Sequence, residues 1–520
     1  MADAKAQRDA SRSTGTTGEP RQFGSVFYIT VAMSAAFVLC GVFFTGPFNS
    51  ALSAGRDLIT SGLAWVYLLI TTFFLVFVIY LAFSRYGKMR LGQPDDKPEF
   101  GLFAWFCMLF QAGMGIGLVF WGVAEPVSHY GDPPYGLAEP GTPRAANVAI
   151  QYAFFHWTLH PWAIYAVVGL AVAYFSFRRG VTSLRISMVL HPLLGDRVDG
   201  PIGKAVDVLA IVATLFGVAV SLGLGTLQID AGLNRVFGLP SGIGMQLGII
   251  AVTAFAYMLS ASTPIEKGVN FLSQASMVLA VVLLGYFLVI GPTLLQLNAF
   301  TQETGVYLAN LVPMSFRMNA FNLDPWLGEW TLFFFATWIS WAPFVGAFIA
   351  RISKGRTIRE FILGVLIAPS IFSMIWFSVF GAASIDLDNR LGGALSRSAR
   401  SNEAVALFDF LDQFPLFLLT SLLALFLVWI FFVAGADAGT IVLGSMSAGG
   451  TLNPKRRIKL IWGVIMGAIA AILLLAGGLS ALQNGAILTG TPFGILMLAI
   501  CWSLYKAIKR DYREENGQKE

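Results

Sequence analysis

The chain has 520 residues, of which 56% are hydrophobic and only 12% charged, with a net charge of +5. An ordinary soluble domain carries about 25% charged residues, so this composition excludes a soluble enzyme, a disordered hub and a fibrous protein. The apolar segments are continuous runs, not alternating strands of about ten residues, which sets a transmembrane barrel aside.

Residues 1–22 are polar and rich in Ala, Ser, Thr, Gly and Arg, the composition of a disordered tail and not of a signal peptide. Twelve apolar segments follow, at 25–46, 63–84, 101–124, 147–177, 203–229, 242–261, 269–296, 327–350, 358–383, 414–446, 458–481 and 485–505. About 20 apolar residues in a helix span the bilayer core, so an all-α integral membrane protein with 12 transmembrane helices is expected. Runs longer than that predict tilt or breaks. The outer segment 298–326 carries an amphipathic stretch, 306–316, read as an interfacial helix. The polar loop 384–413 is expected to fold over the outer face, and 506–520 is a short tail of mixed charge.

The basic residues support this topology. With the N-terminus inside, the outer loops hold only Arg56, Arg144, Arg235, Arg317, Arg390, Arg397 and Arg400, seven of the 34 Lys and Arg. The inner segments hold the rest, among them Arg85, Lys88 and Arg90, and Arg351, Lys354, Arg356 and Arg359. This is the positive-inside pattern carried through every span, with both termini in the cytoplasm. Cys40, Cys107 and Cys501 each sit in an apolar run with no metal-ligand spacing, and read as small buried apolar residues.

Three stretches carry chemistry. Gly113-Met114-Gly115-Ile116-Gly117 puts three alternating glycines mid-way along the third span. It reads either as a small-residue packing groove or as an unwound point where backbone groups meet an ion or substrate. In Phe155–Tyr165, Trp157, Trp162 and Tyr165 fall within an arc of about 140° on a helix, and Pro161 frees the Trp157 carbonyl. In the eighth span Trp338 and Trp341 share a face and Pro343 follows them. Two helices offering tryptophans near mid-span can form an aromatic cage. Such a cage attracts a quaternary ammonium by about 2 kcal/mol or more per desolvated ring, without the cost of a buried carboxylate.

GMGIGLVFWGVAEP (113–126), HWTLHPWAIY (156–165), WISWAPFVGAFIARISKGRTIREFI (338–362) and FFVAGADAGTIVLGSMS (431–447) resemble the betaine/choline/carnitine transporters, and the likeness extends from about Ser25 to Tyr505. The resemblance implies two leading helices (23–100), then LeuT-like inverted five-helix repeats at 101–297 and 327–505 joined by the outer segment 298–326. It also implies alternating access, a homotrimer and an inner-membrane location. By the same resemblance the substrate-binding box falls on Trp157, Trp162, Tyr165 and Trp338, with Trp341 beside it. The glycine stretch falls on Gly113, Met114, Gly115 and Gly117. No cofactor and no nucleic acid is expected; the partners are a small zwitterionic substrate and membrane lipid.

Two departures from the family pattern refine the reading. Choline carriers have an Asp where this chain has Gly117, so a zwitterion such as glycine betaine is expected here. Sodium-coupled members place Thr and Ser just before the Ala-Asp of the tenth span, where this chain has Ala434 and Gly435. Sodium needs hard oxygen ligands, so proton coupling is preferred to sodium, with sodium-independent exchange of the carnitine type and a choline carrier as alternatives. Ionisable groups inside spans are functional candidates. Asp437, His156 and His160 are the proton-coupling candidates, set against a helix-to-helix bond for Asp437 and donation to neighbouring carbonyls for the histidines. Asp207 and Glu125 read as structural. An integral membrane transferase would show a polar cluster of His, Asp or Glu near one interface, and only His156 and His160 of the four histidines lie close in sequence. A channel would show ring-forming charges.

Overall fold

The structure, a computed structural model, describes residues 23–517 apart from 114, 182, 263–265 and 322–323. The side chains of 110–113, 262 and 266–273 are also outside the described set. The expected tail 1–22 and Met114 therefore lie outside the described residues. Among the described residues the chain is helical, with no strand and one isolated bridge, Arg90 with Thr357. A spanning chain has to satisfy its backbone groups internally, and helices do so within each segment.

The main helices are α1 (Ser25–Phe43), α2 (Thr45–Phe83), α3 (Leu102–Gly113), α4 (Ile116–Gly131), α5 (Pro143–Trp157), α6 (Leu159–Ala173) and α7 (Pro201–Phe237). They are followed by α8 (Ile243–Ser262), α9 (Glu266–Ile290), α10 (Thr293–Ser315), α11 (Thr331–Arg351), α12 (Ile358–Arg390), α13 (Phe417–Ser447) and α14 (Arg456–Glu515). Among the described residues nine helical segments are long and apolar enough to cross a membrane, or ten if one bent pair counts as a span. The protein is a multi-pass membrane protein.

Each of the twelve apolar segments falls on helix, but breaks redistribute them. The third span is split into α3 and α4, and the fourth into α5 and α6 at Thr158, whose φ of −117° and ψ of −115° leave the helical region. The last two segments form one 60-residue element, broken at Gly477 and Gly478 instead of near residue 483. Gly478 has φ +61°, ψ −134°, a conformation that a side chain would resist. The eighth span is interrupted at Trp330, between the short helix Trp326–Glu329 and α11, and is unbroken through Pro343. The outer segment differs more. Its helix is the 23-residue α10, lying after a 109° bend from α9, and it packs on α5 and α12. The α12 helix runs on to Arg390 through the first part of the expected loop.

Burial locates the centre of the bundle. In Pro143–Arg178 the apolar window is 94% buried, against 22% in α1. The α6 helix packs on α11 and α12, and α7 packs on α11, α13 and α14. Of the cysteines only Cys501 is buried; Cys40 is exposed on peripheral α1 and Cys107 is intermediate, all three with free thiols. The expectation of three buried cysteines is corrected accordingly, because a helix at the rim of a membrane bundle keeps its apolar residues on the outside.

One polar cluster ties the segment before α7 to that helix. Asp207, 1% exposed, accepts from Ser187 N (2.9 Å), Ser187 Oγ (2.9 Å) and Arg185 Nε (2.8 Å). Removing one partner of a buried, hydrogen-bonded charge pair costs about 3 kcal/mol or more. Asp207→Ala is therefore expected to melt well below wild type in detergent, and below Asp207→Asn, which keeps an acceptor; equal melting temperatures for the two variants would count against this role.

Candidate functional site

The site grows from the two helix breaks. The α3 helix ends at Gly113, Gly115 is extended (φ −147°, ψ −178°), and α4 restarts at Ile116. The helix is interrupted at the glycine stretch, and close packing is present there too. Gly117 adds a close approach: a Cβ there would stand 2.8 Å from Cη2 of Trp157. The missing side chain lets the indole of Trp157 lie against the first turn of α4.

The second break, at Thr158, leaves carbonyls of α5 without helical partners. One of them is used at once: Trp338 Nε1 of α11 donates to His156 O at 2.9 Å. Pro161 frees the Trp157 carbonyl; the carbonyl that Trp338 engages is that of the neighbouring His156. Trp157 Nε1 donates to Glu125 Oε2 (2.7 Å) and Trp341 Nε1 to Gly217 O (2.6 Å). Three indole N–H groups are thus satisfied by the protein, which leaves the ring faces to act as apolar and π surfaces.

The rings form a connected series. Trp157 meets Trp338 edge to face at 4.8 Å, Trp338 meets Tyr165 at 6.3 Å, and Tyr165 meets Trp162 at 5.5 Å. All four line one cavity of about 310 Å³, together with Trp341 and with Gly115, Ile116 and Gly117 of the first break. The cavity is mainly aromatic and aliphatic, the character of a small-molecule site. Its far wall comes from α13 and includes Ala434 and Gly435. These two residues bring no side-chain oxygen; Ser221 of α7 supplies a nearby hydroxyl on the lining.

The structure therefore brings together Trp157, Trp162, Tyr165, Trp338, Trp341, Gly115 and Gly117. Gly113 ends α3 next to them, and Met114 lies outside the described residues. Asp437, His156 and His160 do not line the cavity. Asp437 accepts from Ser260 of α8 (3.1 Å), a helix-to-helix bond. The histidines do not donate to neighbouring carbonyls, and that expectation is corrected. His160 Nε2 pairs with Ser315 Oγ at 3.1 Å, and His156 bonds Glu125 and Thr331. The reason is the break at Thr158 and the packing of α4, α10 and α11 on it, which supply side-chain partners that no local spacing reveals.

Sequence reasoning missed Phe334, which lines the cavity and lies near-parallel to Trp338 at 6.2 Å. The signal was present: it sits four residues before Trp338, on the same helix face. It also missed the partnership of Glu125 with Trp157, whose residues are 32 apart and meet only across helices.

A family model described as the betaine/carnitine/choline family transporter matches residues 25–513. The chain is 49% identical over 497 residues to the glycine betaine transporter OpuD of Bacillus subtilis, covering 95% of this chain and 96% of that one. It is 42% identical to a probable glycine betaine transporter of Desulfitobacterium hafniense (95% and 99% covered). It is 43% identical to a glycine betaine transporter of Acinetobacter baylyi (94% and 73% covered).

Proposed function

The chain belongs to the betaine/carnitine/choline family of transporters, is a transporter and not an enzyme, and from that premise we propose that it imports a quaternary-ammonium or sulfonium zwitterion, chiefly glycine betaine, by secondary active transport with alternating access. The observation that carries the substrate class is the ring series Trp157, Trp338, Tyr165 and Trp162 around one cavity. A permanent quaternary cation cannot donate hydrogen bonds, and ring faces hold it through their quadrupoles; the N–H groups of Trp157 and Trp338 are already engaged by the protein. The break at Gly113–Ile116 gives the other end of the substrate its partners. The first N–H groups of α4 lack helical acceptors and suit a carboxylate.

Ala434 and Gly435 on the cavity wall bring no side-chain oxygen to a sodium ion, which favours proton coupling. The same observation favours a second reading, sodium-independent exchange of the carnitine type. The architecture we propose around the site is twelve spans, with two inverted five-helix repeats at 101–297 and 327–505 behind two leading helices. The termini are cytoplasmic, the membrane is the inner one, and the chain assembles as a homotrimer.

Uptake of labelled glycine betaine into proteoliposomes tests this directly. Accumulation driven by an inward proton gradient, and indifferent to replacement of sodium by potassium, is the expected result. Strict sodium dependence would overturn the coupling. Counterflow without accumulation under either gradient would establish the exchanger instead.

A further inference from the structure

Three ionisable side chains meet behind the aromatic box without lining it. Glu125 of α4, His129 one turn further on, and His156 of α5 are each 0% exposed. One donor atom from each lies within 4.8 Å of the other two. Glu125 Oε1 is 2.6 Å from His156 Nδ1 and 3.5 Å from His129 Nε2. Its Oε2 accepts the N–H of Trp157, a box residue. His156 Nε2 lies 2.9 Å from Thr331 Oγ1. His129 packs against Trp330 at 4.4 Å, yet neither of its ring nitrogens has a hydrogen-bond partner.

The donors and acceptors set the fewest protons this cluster can hold. An indole N–H only donates, so Oε2 is bare, and Oε1 shares one proton with His156. With both imidazoles otherwise neutral the cluster carries a charge of −1. Among the described residues the ion-pair partners of Glu125 are the two histidines. Neighbouring elements bring no balancing cation. His160 faces His156 from α6. Tyr152 and Tyr135 stand on the loop side with Arg317 and Asp324 beyond them. Asp388 of α12 faces Tyr130, Arg400 lies by Gly131, and Asp230 of α7 turns to Ser241 and Gln246. A net charge sealed among apolar helices costs several kcal/mol. One added proton removes it, and His129 accepts that proton without breaking a bond, because neither of its ring nitrogens has a hydrogen-bond partner.

We infer that Glu125, His129 and His156 form a one-proton binding site, loaded as the cavity closes and linked to substrate through the Trp157 N–H bond. This rests on the transporter reading above. The proton comes from water and is held on an imidazole nitrogen; no other bond forms or breaks. Open to water, the cluster tolerates its charge; sealed, as here, it needs the proton. Closure around the substrate therefore takes up one proton, and uptake rises as pH falls.

Uptake of glycine betaine at fixed membrane potential between pH 8 and pH 5.5 is expected to change by up to about tenfold per pH unit, the slope of one linked proton. His129→Phe keeps the ring on Trp330 and removes no hydrogen bond; Glu125→Gln keeps an acceptor for Trp157. Both are expected to flatten the slope to less than about twofold per unit. Infrared difference spectra of the substrate-free protein over the same pH range read the site without any substrate. An imidazolium signal present in wild type and lost in both variants supports it, even if no supplied zwitterion is carried, in which case only the substrate reading falls. A flat wild-type slope with no infrared change overturns the inference, as do variants that keep both, and as does one divalent metal ion per purified chain that His129→Phe releases.

Discussion

Trp338→Ala is expected to lower glycine betaine uptake at low substrate concentration by about 100-fold while the protein still purifies as a folded species. The magnitude has two sources. A desolvated cation–π contact is worth about 2 kcal/mol. The edge-to-face contact with Trp157 at 4.8 Å adds about 0.5–1.5 kcal/mol by holding that ring in place. Each 1.4 kcal/mol is tenfold in affinity. Trp338→Phe keeps a smaller ring face and loses the N–H donated to His156 O, so its loss is expected to be intermediate. Binding measured by quenching of tryptophan fluorescence, beside uptake into proteoliposomes, checks both variants. Wild-type affinity in Trp338→Ala would remove this residue from the box.

Gly117→Asp is expected to abolish glycine betaine transport and to invert the preference between betaine and choline. The new Cβ would stand 2.8 Å from Cη2 of Trp157, so the indole has to shift. The carboxylate would enter the cavity beside the N-terminus of α4, where the carboxylate of a zwitterion is proposed to bind. Two like charges about 4 Å apart repel by about 4 kcal/mol at an effective dielectric constant near 20, more than enough to exclude betaine. Choline has no carboxylate and escapes that penalty. Gly117→Ala is the control, since it adds the crowding without the charge. Competition of betaine and choline for uptake separates the two effects. The same betaine-to-choline ratio in both variants would mean that crowding alone acts here and that charge at this position does not select the substrate.

The site and the proton cluster were unequally legible in the sequence, for a physical reason. Trp157, Trp162 and Tyr165 lie within one stretch of nine residues, and Trp338 and Trp341 within four. Helical periodicity alone puts each set on a face. Glu125 and His129 share a helix face too, but nothing local says that His156 and Trp157 will meet Glu125, or that Thr331 will meet His156. Those contacts span 31, 32 and 175 residues of sequence between partners. Glu125 therefore read as a structural residue, and His156 as a donor to a neighbouring carbonyl.

Backbone breaks divide in the same way. The glycines at 113, 115 and 117 announce their break because they lower helix stability wherever they stand. The α11 helix runs unbroken through Pro343; it lies buried between α6 and α7, and packing holds it across the proline. The break at Thr158 has no glycine to mark it and lies three residues before Pro161.

Hydropathy and the placement of basic residues, which are one-dimensional properties, were enough to identify a multi-pass helical membrane protein, and four contiguous motifs were enough to identify its family. Tertiary structure alone decided which carbonyls, carboxylates and hydroxyls each indole and imidazole engages, that α10 turns away by 109° from α9, and that an acidic group stands behind the box. Burial in apolar surroundings requires every polar group to find a partner. Which partner it finds depends on how helices far apart in sequence come to pack.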